Sequence, residues 1–499
     1  MAIHSAISVL LCMLSCILVA YAPAGFEPMF NASILTTAIT VFSNHYMSVH
    51  RQKTIMPILS LDVLFLLGLL AVNFSVPAMI AFGHIDFKFI EWPLNSGVFY
   101  SKYIAVALLA TSGFSCSYLV AFREDKRLLA TSVDTAKSIS MTVRPIFLAI
   151  PGVILFIDFL IGAGMHYVGG SYNDVSSLEE RYDIPFWFAR MLLTLSVATI
   201  VVRSSGAKTA FFSFQNLVIF AFYFLAVSMV AIHGDRGSLI MMISPFLYLL
   251  FSKVPKRLWT VSTISFVIIG LVFVTAIRVS RNLEQRSLEG IFYSFWEASD
   301  RDSMLVAANN IGGSGMLLPV AMKYVESNEL TNGRLAFTSI LGIIPYSRRV
   351  LRESGFLSDS PSWGLQGANL LTRLVNGPHA TSGTGTTSVA EFYFDFGVFG
   401  VFFGHCLLGA MTAYLVATTG RSQNAHMFAL YIYSIGVFAI MARYSVISFL
   451  VREVGYAYLV LVLSRLATVL TGSPPVRRTD SKTQYAPEQR ILGKNNRCV

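Results

Sequence analysis

The residues best suited to chemistry lie between Gly377 and Gly400, in the sequence GPHATSGTGTTSVAEFYFDFGVFG. Glu391 supplies a carboxylate that could deprotonate a hydroxyl group or orient it by hydrogen bonds. His379 is a second candidate base, because an imidazole changes its charge near neutral pH. The stretch is polar at first and then runs into an apolar segment. This pattern indicates a binding or catalytic wall at a membrane surface.

The loop before Glu391 is rich in glycine and hydroxyl groups, which allow sharp bends and present O–H and N–H donors. This loop, here called the acceptor loop, is predicted to contact the molecule that supplies the hydroxyl, the acceptor, through Ser382, Gly383, Gly385 and Ser388. Ser388 and Glu391 also form an S-x-x-E helix start, in which the glutamate would only complete a capping box. Asp395 lies one turn further on the same helix face, and its burial near a membrane would require a partner.

Four arginines stand at the ends of apolar segments: Arg236, Arg278, Arg281 and Arg443. All are predicted on the outer side of a membrane, where positive charge gains nothing from the topology rule. Each alone could simply reach lipid headgroups with its long side chain. Arginine is also the residue that grips phosphate through two hydrogen bonds and stays charged. As a group, these arginines predict a site for a phosphate or diphosphate.

The composition is that of a membrane protein. Of 499 residues, 55% are hydrophobic and 13% are charged, against about 25% charged residues in soluble domains. The net charge of +10 does not indicate nucleic-acid binding, because the basic residues form short clusters between apolar segments. Four cysteines lie in apolar segments and Cys498 lies in the tail, so no disulfide framework or metal spacing is visible. We expect no metal and no cofactor.

The apolar segments predict an all-α polytopic protein with about twelve membrane spans of roughly 17–25 residues each. The spans lie near 4–21, 30–48, 55–74, 99–121, 143–164, 184–202, 213–232, 237–252, 259–278, 396–417, 427–442 and 445–465. The second and eighth are short or rich in polar residues. Lys and Arg cluster in alternate connectors, which the charge bias assigns to the cytoplasm together with both termini. The outer connectors are poor in these residues.

This count divides the chain into four parts. They are an N-terminal bundle of about nine spans (1–278), a large outer loop (279–395), a C-terminal group of about three spans (396–466) and a basic, disordered cytoplasmic tail (467–499). A loop of such length should contain helices, and candidates are Leu283–Asn310, Gly315–Glu326 and Trp363–Val375. Inside the spans, Arg190 and Asp158 should face the bundle interior or a water-filled cavity, and could pair with each other.

These features together resemble the bacterial O-antigen polymerase (Wzy-class) family over most of the chain. The most specific element is Ser388-Val-Ala-Glu391-Phe-Tyr-Phe-Asp-Phe-Gly397-Val-Phe-Gly400. The Arg236-Gly237 pair, Arg278 before the large loop and the late Arg443 are shorter parts of the same resemblance. One departure is Asp395, where the family more often has asparagine; it puts a special role for Asp395 in doubt.

The resemblance implies a GT-C-like glycosyltransferase in the bacterial inner membrane. Such an enzyme polymerises undecaprenyl-diphosphate-linked oligosaccharide units at the periplasmic face, into O-antigen, capsule or exopolysaccharide. It implies that the arginines hold the diphosphate and that Glu391, with His379, acts on the acceptor. A chain-length regulator and a flippase of the same pathway are the expected partners, besides membrane lipid.

Two alternatives stay open. An O-antigen ligase has the same architecture, and His379 keeps this alternative open. A polysaccharide flippase or transporter would instead show paired halves and charged groups deep in a cavity, whereas this chain has a large loop and no internal repeat.

Overall fold

The computed structural model describes residues 2–52, 59–84, 99–122, 144–164, 167, 180–204, 211–252, 254–259, 261–262, 265, 312–341, 344, 347, 367–377, 385–421 and 425–470. Every regular element in these ranges is helical. The α-helices are α1 (Ala2–Ala20), α2 (Pro28–Gln52), α3 (Leu61–Ala81), α4 (Tyr100–Ala121), α5 (Pro145–Phe159), α6 (Glu180–Ser204), α7 (Phe214–His233), α8 (Arg236–Phe251), α9 (Leu317–Ser327), α10 (Arg334–Leu341), α11 (Gly367–Asn376), α12 (Ser388–Arg421), α13 (Ala425–Ile440), α14 (Val446–Phe449) and α15 (Tyr456–Leu470). A π-helical turn, Leu160–Gly164, extends α5, and another, Leu450–Gly455, joins α14 to α15.

Nine helices in the described ranges are long and apolar enough to cross a membrane, and each overlaps a predicted span. The second predicted span is helical as α2 but too polar to qualify, and the eighth, α8, has only 16 residues. Most of the ninth, 259–278, lies outside the described residues. The protein is therefore a polytopic helical membrane protein. The count of twelve and the GT-C-like fold stay predictions.

The polar character of α2 has a structural cause. Its threonine hydroxyls donate to carbonyls one turn back in the same helix, for example Thr36 to Ala32 at 2.9 Å. On the opposite face, His45 is fully buried and contacts Asp62 of α3 at 2.6 Å. Because each of these polar groups has a partner, the segment can be helical without an apolar sequence.

Helix α4 lies at the centre of the larger apolar core, with Ile104, Val106 and Leu108 completely buried. It packs against α1, α2, α3 and α12. A Cβ atom on Gly409 of α12 would lie 2.4 Å from the carbonyl oxygen of Phe114 in α4, so the two backbones touch. Such close approach through small residues is typical of membrane helix pairs. A second core joins α5, α6 and α7.

Two of the three helices predicted in the large loop coincide with helices of the structure. The segment Gly315–Glu326 corresponds to α9, and Trp363–Val375 corresponds to α11, whereas Leu283–Asn310 lies outside the described residues. Leu318, Val320 and Ala321 of α9 are completely buried, and α9 packs on α12 and α4. This part of the loop is therefore folded onto the membrane helices.

Candidate functional site

The segment that carries the chemistry forms a helical hairpin. Helix α12 is interrupted at Phe396 and Gly397, and Gly397 has φ +62°, ψ −146°, a conformation that only glycine adopts easily. The first arm (388–395) folds back along the second arm (398–421). The sequence predicted a span beginning at 396. The structure instead has a short re-entrant helix before that span.

Two further glycines allow the two arms to touch. A Cβ atom on Gly400 would lie 2.4 Å from the carbonyl oxygen of Phe392, and one on Gly404 would lie 2.8 Å from the ring of Phe392. Both distances are shorter than any real Cβ contact. Gly400 and Gly404 therefore allow the two arms to pack closely. The sequence analysis assigned no such function to them.

The hairpin places the start of the first arm well inside the bundle. Ser388 is fully buried, and its hydroxyl lies 3.3 Å from Nε2 of His405. Nδ1 of His405 donates to the Val401 carbonyl at 2.8 Å, so Nε2 accepts from Ser388. His405 is eight residues beyond Gly397, about 12 Å along the helix axis from the bend. Gly385 lies three residues before Ser388. It has φ +78°, and a Cβ atom there would meet no atom within 4 Å.

Glu391 does not complete a capping box on its own helix, which corrects that interpretation. Thr387 caps α12, its Oγ1 accepting from the N–H of Ala390 at 3.1 Å. The Glu391 carboxylate, fully buried, reaches another helix start: it accepts from the Ser445 hydroxyl at 2.6 Å and from the Val446 N–H at 3.1 Å. It therefore ties the hairpin to the beginning of α14.

Asp395 has a parallel arrangement at a different helix. Its carboxylate accepts from the N–H groups of Leu335 at 3.1 Å and Ala336 at 2.9 Å, at the start of α10. The Thr331 hydroxyl donates to the same group at 2.5 Å. A carboxylate at a helix N-terminus is a favourable pairing. The buried Asp395 carboxylate therefore has the hydrogen-bond partners that the sequence analysis expected, and these contacts indicate a structural role for it.

Arg443 lies in the short turn between α13 and α14, as predicted, and is half-buried. Its Nε donates to the hydroxyl of Ser314 at 3.0 Å. Ser314 belongs to the run Gly312-Gly-Ser-Gly315, in which a Cβ on Gly315 would lie 2.3 Å from the Val72 carbonyl of α3. The glycines let this run approach α3 and reach Arg443. Sequence analysis missed Ser314, although four small residues together are a loop signal.

Arg236 is the first residue of α8 and is also half-buried. Its neighbour Gly237 lies against Tyr444, where a Cβ atom would be 2.7 Å from the phenol oxygen. Tyr444 directly follows Arg443, so its side chain links the turn that carries Arg443 to the start of α8. This close approach explains why glycine follows Arg236. A guanidinium group at each of these two places could donate hydrogen bonds to the oxygens of a diphosphate.

Asp235, which directly precedes Arg236, caps α8 by accepting from the Ser238 N–H at 3.2 Å. Its carboxylate pairs with Arg190 of α6 at 3.2 Å. Burial raises the pKa of Asp235, but the charge of Arg190 and the hydrogen bonds from Ser238 outweigh it, so that the pKa lies below its usual value. The suggested pair of Arg190 with Asp158 is wrong. Asp158 is exposed on α5.

A second ionisable pair, Arg452 and Glu453, lies in the π-helical turn of the last span. Glu453 is almost completely buried and accepts from Trp187 Nε1 at 2.8 Å, from Tyr433 at 2.7 Å and from Arg452 at 3.0 Å. It lines a small cleft together with Arg190 and Ser238. Adjacent charges inside an apolar span were a signal that sequence analysis did not use.

Five predicted site residues lie outside the described residues: His379, Ser382, Gly383, Arg278 and Arg281. Of those that are described, Arg236 and Arg443 are next to residues that contact each other, Gly237 and Tyr444, and Glu391 contacts Ser445 of the same turn. Ser388 begins the first arm and contacts His405 instead, and Gly385 precedes it by three residues. Within the described ranges, no group of three or more His, Cys, Asp or Glu side chains could hold a metal ion.

Comparison with known proteins identifies the family. A family model described as O-antigen polysaccharide polymerase Wzy matches residues 3–470, nearly the whole chain. Neither the curated proteins nor the solved structures gave a match. The matched region includes the re-entrant hairpin and both arginine-bearing turns, so the resemblance first seen in short motifs extends through the bundle. The chain belongs to the O-antigen polysaccharide polymerase Wzy family.

Proposed function

We propose that this protein joins undecaprenyl-diphosphate-linked oligosaccharide units into an O-antigen, capsule or exopolysaccharide at the periplasmic face of the inner membrane. The bond between the growing chain and its lipid diphosphate breaks. A hydroxyl of the end sugar on the next unit forms the new glycosidic bond. The observation that carries this proposal is the contact of Gly237 with Tyr444, which links the turn of Arg443 to the start of α8, where Arg236 lies.

The arginines would stabilise the leaving group. Negative charge develops on the diphosphate as the glycosidic bond breaks, and preorganised donors lower the energy of that transition state. Arg443 is fixed by Ser314, and Arg236 begins a helix of 16 residues, about 24 Å long. That length is less than the roughly 30 Å of a bilayer core, which supports a site sunk below the outer surface. Arg278 and Arg281, which the sequence alone nominates, are proposed to bind the same diphosphate.

The acceptor hydroxyl must lose a proton, so the reaction needs a base. The sequence nominates His379 and Glu391, with Ser382, Gly383, Gly385 and Ser388 around the acceptor. We propose His379 for the proton. The contacts of Glu391 support a different task, which is developed below, and its role as a base stays a prediction. The arrangement needs no cofactor, and a flippase and a chain-length regulator are proposed partners.

The test is polymerisation by purified protein supplied with the lipid-diphosphate-linked repeat unit, with products separated on a gel. Wild-type protein should give a ladder of lengths. Arg236→Ala and Arg443→Ala should each reduce the ladder at least a hundredfold, because each removes a donor to the leaving group. Arg373→Ala is the matched control, since Arg373 is exposed on α11 and should leave the ladder unchanged.

Other outcomes point elsewhere. A full ladder from both arginine variants would contradict the diphosphate site. Transfer of a finished chain to lipid A core without elongation would indicate a ligase. Movement of the substrate across a liposome without a ladder would indicate a transporter.

A further inference from the structure

The turn that carries Arg443, here called the arginine turn (residues 441–446), is held by three separate parts of the chain. Ser314 contacts Arg443 itself. Gly237 lies against Tyr444. Glu391 contacts the two residues that follow, Ser445 and Val446. The position of Arg443 therefore depends on contacts outside its own helix.

Glu391 makes two hydrogen bonds to the arginine turn, more than either of the other two parts. Both carboxylate oxygens accept hydrogen bonds: Oε1 from Ser445 at 2.6 Å and from Ser339 at 3.3 Å, Oε2 from the Val446 N–H at 3.1 Å. Ser445 in turn caps α14 by accepting from the Ser448 N–H at 3.4 Å. The carboxylate thus fixes the chain two residues beyond Arg443.

The same contacts leave Glu391 badly placed for proton transfer. A base needs an oxygen within hydrogen-bond reach of the acceptor hydroxyl. Both oxygens of Glu391 are engaged, and the side chain is completely buried. The groups that occupy them belong to the arginine turn and to α10.

We propose that Glu391 is a positioning residue for Arg443: its carboxylate holds the arginine turn at Ser445 and Val446, so that Arg443 stands against Ser314 in the position from which it binds a diphosphate. This inference rests on the proposed function, because it assumes that Arg443 binds the lipid-linked diphosphate. On this inference, Glu391 contributes to substrate binding indirectly, by positioning Arg443.

Asp395 provides a matched control within the same hairpin arm. It is one turn from Glu391 and equally buried, and it also holds a helix N-terminus, that of α10. Its contacts do not include the arginine turn. Loss of either carboxylate should therefore destabilise the protein, but only loss of Glu391 should affect Arg443.

The experiment measures binding of undecaprenyl diphosphate, without sugar, to full-length purified protein in detergent. Only monodisperse, folded protein is compared. Arg443→Ala and Glu391→Ala should each weaken binding at least tenfold, and Asp395→Asn should bind as wild type does. Glu391→Gln should recover part of the affinity, because its amide oxygen can still accept from the Val446 N–H. Combining Glu391→Ala with Arg443→Ala should weaken binding no more than Arg443→Ala alone.

The outcomes separate this inference from the proposed function. If Arg443→Ala binds as wild type does, the diphosphate site itself is wrong. If Arg443→Ala weakens binding but both Glu391 variants bind normally, the site stands and the positioning role is refuted. Glu391 variants that bind normally yet form no ladder would establish the base role instead. If Asp395→Asn weakens binding as much as Glu391→Ala, the effect is general destabilisation and the inference fails.

Discussion

The ionisation of Asp235, the residue before Arg236, depends on its charged neighbour Arg190. Its carboxylate pairs with Arg190 and caps the helix that starts at Arg236. The pKa of Asp235 lies below its usual value through the charge of Arg190 and the hydrogen bonds from Ser238, although burial alone would raise it. The ionised form is therefore stabilised by folding, and its contribution to stability depends on pH.

We expect Asp235→Asn to lower the thermal unfolding midpoint of the detergent-solubilised protein at pH 7. Asparagine keeps the cap, so the variant removes mainly the charge. Because the folded-state pKa is depressed, the contribution is complete above the ordinary aspartate pKa of about 4 and is lost as the pH falls through the folded value. The difference between variant and wild type should shrink below about pH 4. Asp158→Asn, an exposed control, should change little, and a difference independent of pH would contradict the argument.

At the scale of elements, the re-entrant hairpin is the feature that organises the site. Its two arms touch because Gly400 and Gly404 leave room for Phe392. The first arm then carries Glu391 and Asp395 to two other helix starts, of α14 and α10. One short helix thereby fixes both the arginine turn and part of the outer loop.

We expect Gly400→Ala to destabilise the protein by about 1–3 kcal/mol, the usual cost of overpacking a close contact. Its new Cβ would meet backbone, the Phe392 carbonyl at 2.4 Å, which cannot rotate away as a side chain could. Unfolding midpoints in detergent measure the effect. Gly455→Ala is the control, because its Cβ would meet only ordinary contacts at 3.8 Å and should be neutral. Equal midpoints for the two variants would mean that the arms do not pack as described.

The sequence predicted the helices well and their contacts poorly. Apolar length alone located α1, α3 and α4, because a bilayer core demands about 20 apolar residues. The same rule missed the bend in α12, since Phe396 and Gly397 continue an apolar run and only the backbone angles reveal the reversal. Glu391 stood out in the sequence as a candidate site residue, but its partners Ser445 and Val446 lie 54 and 55 residues away. Local patterns such as S-x-x-E carry no information at that distance.

At the scale of the whole molecule, the proposed reaction depends on which side of the membrane the arginine turn faces. The basic connectors predict that the turn after α8 is cytoplasmic and that the loop containing α9 is periplasmic. Both regions have exposed residues suited to labelling, Ser252 after α8 and Asn328 after α9. The five native cysteines would first be replaced by alanine. A single cysteine is then introduced at either position.

We expect a membrane-impermeant maleimide added to intact spheroplasts to label Asn328→Cys and to leave Ser252→Cys unlabelled until the membrane is opened. Each variant must still give the polymer ladder, so that the labelled protein is the active one. The reverse pattern would place Arg236 and Arg443 towards the cytoplasm, because Arg443 contacts Ser314 in the same loop as Asn328. A substrate already moved to the periplasm could not then reach them, and the proposed direction of the reaction would have to be abandoned. The expected pattern would mean that the arginines, the hairpin and the acceptor loop all face the periplasm. Transfer between two lipid-linked units requires this, because both units must reach the same site from the same side of the membrane.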